Sequence, residues 1–547
     1  MNINVEGKGV TVPEETKLKD LADAREDRDE ILLASVNGSL KELRHKAEEG
    51  DVISFVKNDC KAGRDTYKRS ASFIFYAAVA KVLGERAAAG CILHFSIGQG
   101  FFYTLPGKYA GDPAVIPQIE AAMREMTDSD AEIEKYTMRR DEARRLFARR
   151  KMEDNVKLFK TRLASNVNMY RIGGYDDYSY GFIVHRAGLI KKYRLEAYAD
   201  GIILNMPGRG SDEITDIEPP KLLFKAQREG EEWSAKIGVE TVGDLNEKMV
   251  YYSAKDPIMI SEAMQEGRIA EIAKQINERG DVRFVFVAGP SSSGKTTFSQ
   301  RLAIQLKARG YRPQLISTDN YYIDRDKVSV RPDGTKDLEG ISAIAVDVFN
   351  NDMIRLMSGE RVRLPRFDFK TGKRGLSDET VSLEDGGILI IEGIHTLSGA
   401  LTRQIPRDNK FLIYISALTQ LNVNEHNRIP TTDGRLIRRL VRDYCTRGFS
   451  AAETLEIWEN VRKGEEENIF PYQENADVFF NSALPYELGV LKTYAMPLLF
   501  QVTDEDAGYH EAKRLLKFLD FFVNIPAEYV PGTSILREFI GEGVFRL

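Results

Sequence analysis

Apolar and polar positions alternate in two different rhythms along this chain, and the change falls near Asn246. Before it, INVEGKGVTV alternates with the period of two expected of a half-buried strand. ILLASVNGSL carries an Asn37-Gly38 turn signal, and EEGDVISFV is a turn followed by an apolar run. With a short helical stretch around Lys17–Ala24 between them, residues 1–57 read as a small β-rich unit. Residues 65–84, DTYKRSASFIFYAAVAKVLG, predict an amphipathic helix ending at Gly84, and CILHFSIGQGFFYTL predicts two strands around a Gly98–Gly100 turn. Residues 114–162 are polar and heavily charged and predict one or two exposed helices. Residues 181–205 return to strand character, and Pro207–Pro220, rich in Gly, Pro and Asp, reads as a linker or loop.

After Asn246 a helical segment, ISEAMQEGRIAEIAKQINERG, leads into VRFVFVAG, a continuous apolar run of the kind that forms a buried parallel strand. PQLIST, GILIIEGI and KFLIYIS follow, with helical patterns between them. Strands alternating with helices predict an α/β parallel sheet. A chain of 547 residues is too long for one core, and the shifts in pattern divide it into 1–60, 61–245 and 246–547.

Composition narrows the classes of function. A net charge of −6 gives no global basic footprint of a dedicated nucleic-acid binder. Three cysteines, Cys60, Cys91 and Cys445, are too few and too far apart for a disulfide framework, which points to a reducing compartment. MNINVEGKGVTV has neither the basic region nor the apolar core of a signal peptide. No apolar run reaches the ~18 residues of a membrane span. A cytoplasmic protein is expected.

Gly289-Pro290-Ser291-Ser292-Ser293-Gly294-Lys295-Thr296 fits G-x-x-x-x-G-K-[ST]. The glycines let the backbone curl so that successive N–H groups face phosphates. Lys295 reaches the β/γ-phosphates, the Thr296 hydroxyl can bind Mg²⁺, and the helix in TTFSQRLAIQLKARG points its positive end at the anion. Transfer to a hydroxyl needs a group that takes its proton. Asp319, at the carboxyl end of the strand before STDNYY, is a candidate base, and a turn or N-cap aspartate is the ordinary alternative. Glu392, after ILII, can hold Mg²⁺ through water. Arg435, Arg438, Arg439 and Arg442 recur at three and four and share one helix face, which suits a lid over transferring phosphates.

In this order and spacing the elements resemble the uridine kinase family. SSSGKTT resembles its phosphate loop, STDNYY its S-x-D-x-F-Y segment, LPRFDFKTGKR its nucleoside-pocket segment and IIEGIH its F-E-G-I strand. RLIRRLVRDYCTRG resembles its lid helix, and ENIFPYQENADVFFN the end of its core; the likeness covers about residues 280–485. It implies that Gly289, Ser291, Ser292, Ser293, Gly294, Lys295, Thr296, Thr297, Arg438 and Arg442 bind the phosphates of ATP. It further implies Asp319 as base, Tyr322, Glu339, Phe367 and Arg439 around a nucleoside, and Mg²⁺ on Thr296 and Glu392. Gly372 stands where the family reads the base with a histidine, and Phe449 where an arginine follows the lid glycine. Other implied acceptors are sugars and vitamins, and relatives of this kind suggest a homo-oligomer.

Residues 1–57 resemble a TGS domain, the ubiquitin-like β-grasp module that opens threonyl-tRNA synthetase, and residues 60–240 resemble that enzyme's second additional domain, which edits. The expected fold class is therefore multidomain α/β: a β-grasp module, an α+β editing-like domain and a C-terminal P-loop kinase with a helical extension. Editing requires histidines at H-x-x-x-H on a helix, and Tyr67–Leu83 has none. Cys91 and His94 read as a buried thiol and a satisfied histidine rather than zinc ligands. The arginine pairs of Arg139–Lys151 drift around a helix, so a solvated helix is preferred to an RNA-binding one. A nucleotide-dependent RNA-binding or regulatory protein is the alternative from another class.

Overall fold

In the computed structural model, residues 1–545 are described except 219, 254, 332, 333, 335, 369 and 370. The linker Pro207–Pro220 and the segment LPRFDFKTGKR are thus described except at those positions.

The first five strands, between Asn2 and Val56, form one mixed sheet. Asn2–Val5 pairs antiparallel with Lys8–Thr11 and parallel with Val52–Val56, and Leu33–Val36 pairs antiparallel with Ser39–Glu42 across the Asn37-Gly38 turn. Asn37 and Gly38 have φ of 48° and 71°, as a tight hairpin turn of this hand requires. The helix Leu18–Asp23 closes one face, and Ile3, Leu18, Ala22, Ile31, Val36 and Ile53 form the small core between.

The helix Lys61–Leu83 begins four residues earlier than the sequence predicts and is not amphipathic: from Tyr67 to Val79 every residue except Arg69 is buried. It is enclosed on several sides. Phe75 meets Tyr103 of a four-stranded antiparallel sheet, the helix Ile116–Asp128 packs alongside, and Tyr76 stacks on His426 with ring centroids 4.0 Å apart. Residues 114–162 hold a strand that the sequence hides, Glu134–Arg139, paired antiparallel with Asn166–Ile172. Its flanking helices Arg140–Arg150 and Glu153–Thr161 are exposed on one face only, since Phe147 and Phe159 are fully buried. Arg150 of the basic stretch pairs with Asp176 at 2.9 Å. His94 is held by Glu231 at 2.8 Å and Thr104 at 2.7 Å, and burial pushes the Cys91 thiol far up.

The C-terminal half is built on five parallel strands in the order Arg312–Ser317, Gly387–Gly393, Phe284–Ala288, Lys410–Ser416 and Val478–Asn481. Strand Phe284–Ala288 is buried along its whole length, as its unbroken apolar run requires. One apolar cluster runs from Phe147 and Phe159 through Leu245, Val285 and Val287 to Leu515 and Phe539, so the packing is continuous across residues 245 and 246. The excursion after strand Lys410–Ser416 reaches back into the N-terminal half. Leu93 N–H donates to Glu425 O (2.9 Å), Asn422 to Leu93 O (2.7 Å), and Glu425 N–H to Asp154 (2.8 Å). Among the described residues no helix is long and apolar enough to cross a membrane.

Candidate active site

The phosphate loop leaves the carboxyl end of the central strand at Gly289. A Cβ there would lie 2.0 Å from Ile415 O, so only glycine allows the backbone to pass. Gly294, with φ of 85°, turns the chain into the helix Lys295–Lys307, and its bare Cα faces Ile535. Register then gathers the chemistry. Gly393 pairs with Ala288 and Glu392 with Ser317, so Glu392 and Asp319 emerge beside the loop at the same sheet edge. Asp319 sits in the short turn Thr318–Tyr321, its N–H donating to Ser317 Oγ at 3.3 Å.

These groups line a cleft of about 1170 Å³. Ser291, Ser292, Ser293, Gly294, Lys295 and Thr296 form its floor, and Asp319, Glu392, Tyr322, Glu339, Phe367, Arg439 and Arg442 its walls. Lys295 Nζ donates to Gly289 O (2.9 Å) and Pro290 O (3.2 Å), curled over its own loop. Burial lowers the Lys295 pKa and raises that of Asp319; the neighbouring cations Lys295, Arg447 and Arg442 oppose the rise at Asp319. Burial, with the charge of Asp319, pushes Glu392 up to about 7. Glu339 is likewise raised by burial, with Arg439 opposing. Tyr322 and Phe367 form an aromatic corner, their ring centroids 5.7 Å apart. The Thr296 hydroxyl with the Asp319 and Glu392 carboxylates is a set of hard oxygen donors beside an anion loop, which fits Mg²⁺ carried by phosphates and water. Among the described residues no three His, Cys, Asp or Glu side chains form a self-sufficient metal cluster.

The lid helix Thr431–Arg442 divides its arginines. Arg439 Nη1 donates to Ser291 Oγ at 2.9 Å and pairs with Asp443 at 3.1 Å, and Arg442 pairs with Asp443 at 2.8 Å. Arg438 departs from the expected phosphate-binding role. It is 0% exposed, does not line the cleft, and is tied behind the loop to Glu487 (2.5 Å) and Ser482 O (2.9 Å). Arg435 is also withdrawn, paired with Glu465 and donating to Ser291 O at 3.1 Å. Gly289 and Thr297 are not lining residues of the cleft, but the Thr297 N–H is bonded to Glu538, which is. Gly372, with φ of 68°, lies behind Arg325 and accepts its N–H at 2.9 Å.

Four residues of the site escape sequence reasoning. Arg447 lines the cleft because the turn Asp443–Arg447 is wider than an α-helix; regular spacing would carry it away from Arg442. Arg325 fills the wall near Gly372. Glu465 accepts from Ser291 N–H at 3.1 Å and Glu538 from Thr297 N–H at 3.0 Å, both from distant segments with no local signal.

The family model described as "Phosphoribulokinase / Uridine kinase family" matches residues 284–486. The uridine kinase of Staphylococcus haemolyticus is 28% identical over 193 residues, 35% of this chain and 84% of that protein. The threonine–tRNA ligase of Carboxydothermus hydrogenoformans is 26% identical over 172 residues, 30% of this chain; the match spans only 26% of the ligase. The structure of a possible uridine kinase from Bacillus stearothermophilus aligns with a TM-score of 0.27 at 20% identity, over 39% of this chain and 98% of that one. Residues 284–486 thus match the phosphoribulokinase and uridine kinase family model, and the same chain carries a stretch similar to part of a threonine–tRNA ligase.

Proposed function

We propose that this protein transfers the γ-phosphoryl group of ATP to the 5′-hydroxyl of a nucleoside. One observation carries the reading: a half-buried carboxylate, Asp319, faces the same cleft as the phosphate loop and a row of arginines. A switch that only senses nucleotide needs no acceptor base, which disfavours the RNA-binding alternative. In the proposed reaction the γ-phosphorus bonds to the acceptor oxygen, its bond to the β-bridging oxygen breaks, and Asp319 takes the hydroxyl proton. Burial makes that carboxylate a better base than one in water. Lys295 and the amides of residues 291–297 hold the β- and γ-phosphates. Arg439, Arg442 and Arg447 neutralise charge that moves to the leaving ADP. Glu339 accepts from the ribose hydroxyls, while Tyr322 and Phe367 pack against the base. Thr296 and Glu392 would hold Mg²⁺, which supplies charge neutralisation on the phosphates when bound.

The same chemistry on another hydroxylated metabolite is the second reading, favoured by Gly372, which has no side chain to read a pyrimidine. For the N-terminal half, the strand order and closing helix of residues 1–60 support a β-grasp module of TGS type. The absence of histidine from Lys61–Leu83 supports an editing-like fold at 61–245 that no longer edits, ahead of the kinase at 246–547.

ADP release with Mg-ATP and a panel of ribonucleosides, deoxynucleosides and sugars tests the reading. Uridine or cytidine should support turnover, and Asp319→Asn should lower it by about 10²–10⁴-fold with ATP binding kept. ATP binding without acceptor-dependent turnover in the wild type would overturn it.

A further inference from the structure

A second, smaller cavity lies between the two halves and shares no lining residue with the kinase cleft. One wall comes from helix Lys61–Leu83 and residues 177–183, the other from residues 426–430 of the kinase-domain excursion. Its charges do not balance. Lys68 is only 9% exposed, and among the described residues its ammonium makes no hydrogen bond or ion pair; it lies 5.2 Å from the Phe101 ring centroid. Among the described residues Arg428 donates only to two hydroxyls, Ser96 at 2.5 Å and Thr431 at 3.4 Å, and its buried Nε has no partner.

The carboxylates of the wall are already engaged. Asp65 pairs with Lys61 at 2.9 Å. Asp177 accepts from Tyr175 Oη (3.0 Å) and Tyr178 N–H (2.7 Å) and faces His426 Nδ1 at 2.5 Å. Arg64 adds a further cation, bonded only to the neutral Gln99. Cations held in an enclosure whose carboxylates are engaged elsewhere are costly. Accordingly burial, with the charges of Arg64 and Arg428 nearby, pushes Lys68 down to about 7, and burial lowers Arg428 to about 10. Arg69 is a third cation of the lining, Ser72, Ser179 and Asn427 are polar, and the remaining residues, Phe73, Tyr76 and Leu93 among them, are apolar or aromatic.

We propose that this cavity binds a small organic anion, its carboxylate or phosphate against Lys68 and Arg428 and its apolar body against Phe73, Tyr76 and Leu93. The site stands independently of the kinase reading. It is nonetheless joined to the kinase cleft by the chain, because Arg428 lies three residues before the lid helix whose Arg439 holds Ser291. An occupant would therefore act at the base of the lid.

Calorimetric titration of the full chain with phenylphosphate and with 3-phenylpropanoate tests the site and distinguishes the two headgroups. The Lys295→Ala variant serves as host, so that the phosphate loop does not report. Saturable binding of either probe is expected, weakened roughly tenfold or more by Lys68→Met and, independently, by Arg428→Gln. Circular dichroism establishes that each variant is folded. The proposal is overturned if neither probe binds, or if both variants bind as tightly as the host. It also fails if phenylphosphate binds only when Lys295 is present.

Discussion

The carboxylate of Glu538 accepts a hydrogen bond at 3.0 Å from the backbone N–H of Thr297, in the first turn of the helix that follows the phosphate loop. Two more contacts set this C-terminal segment on the loop: Ile535 lies over Gly294, and the Phe539 ring centroid is 5.0 Å from the Arg438 guanidinium. Amides at a helix N-terminus are natural partners for phosphate. Glu538 therefore holds a donor that a nucleotide would use, and lines the cleft in which it would lie.

Glu538→Gln should bind ATP more tightly than the wild type, by roughly tenfold, since a neutral amide competes less for the N–H and no longer repels phosphate. A nucleotide titration measures this directly; equal or weaker binding would mean that Glu538 supports the loop rather than competing for it. Truncating the segment is the wrong test, because Leu536 and Phe539 are fully buried and their loss would disturb the core.

The lid arginines should separate into two classes. Arg438 is bonded to Glu487 in a fully buried pair, so Glu487→Gln leaves a buried guanidinium without its counter-charge. Breaking such pairs costs about 3–5 kcal/mol. A denaturant melt should record that loss. Arg439→Ala should cost less stability, because Asp443 keeps Arg442 as a partner at 2.8 Å, and should weaken ATP binding through the lost contact with Ser291 at the cleft. Equal losses of stability in both variants would refute the division.

How legible this site was depends on what each residue needs in order to be read. The parallel strands show in the sequence because burial on both faces demands continuous apolar runs such as FVFVA and ILII. The phosphate loop shows because its geometry restricts residue type at fixed spacing. The strand Glu134–Arg139 does not show, since only Tyr136 and Met138 turn partly inward and its partner begins at Asn166. The roles of Arg435 and Arg438 were not readable either. Helical spacing puts them on one face, but whether each meets phosphate or carboxylate is decided by Glu465 and Glu487, which the fold brings from later elements. Glu538 is the extreme case, a contact made across 241 positions.

Gly464 lies inside the helix Ala451–Asn468, where alanine would ordinarily favour the helix by roughly 1 kcal/mol. Here a Cβ would sit 2.5 Å from the Cβ of Glu339. Gly464→Ala should therefore displace Glu339 and raise the KM for a ribonucleoside, while the ATP affinity stays close to that of the wild type. Glu339→Gln should reproduce the effect without a steric change. If Gly464→Ala leaves acceptor KM untouched, Glu339 does not hold the ribose hydroxyls.

The last prediction concerns Lys68 and the pH dependence of stability. The charged groups facing it are Arg64 and Asp65 on its own helix and Arg428 across the cavity; burial, aided by the two arginines and opposed by Asp65, lowers Lys68 from 10.5 to about 7. Between those two values the unfolded chain binds more protons than the folded one, so this group's contribution to stability rises with pH. The penalty is fully present below about pH 7 and is relieved as pH approaches the unfolded value. Lys68→Met removes it. At about pH 6 that variant should be more stable than the wild type by a few kcal/mol, at about 1.4 kcal/mol per unit of displacement, and the gap should close toward pH 10. His426 also lines the cavity and titrates, but it is common to both proteins and largely cancels in the difference. Paired thermal melts across this range measure the gap. A variant less stable than the wild type at low pH would mean that Lys68 already has a counter-charge, and would remove the imbalance on which an anion in the cavity depends.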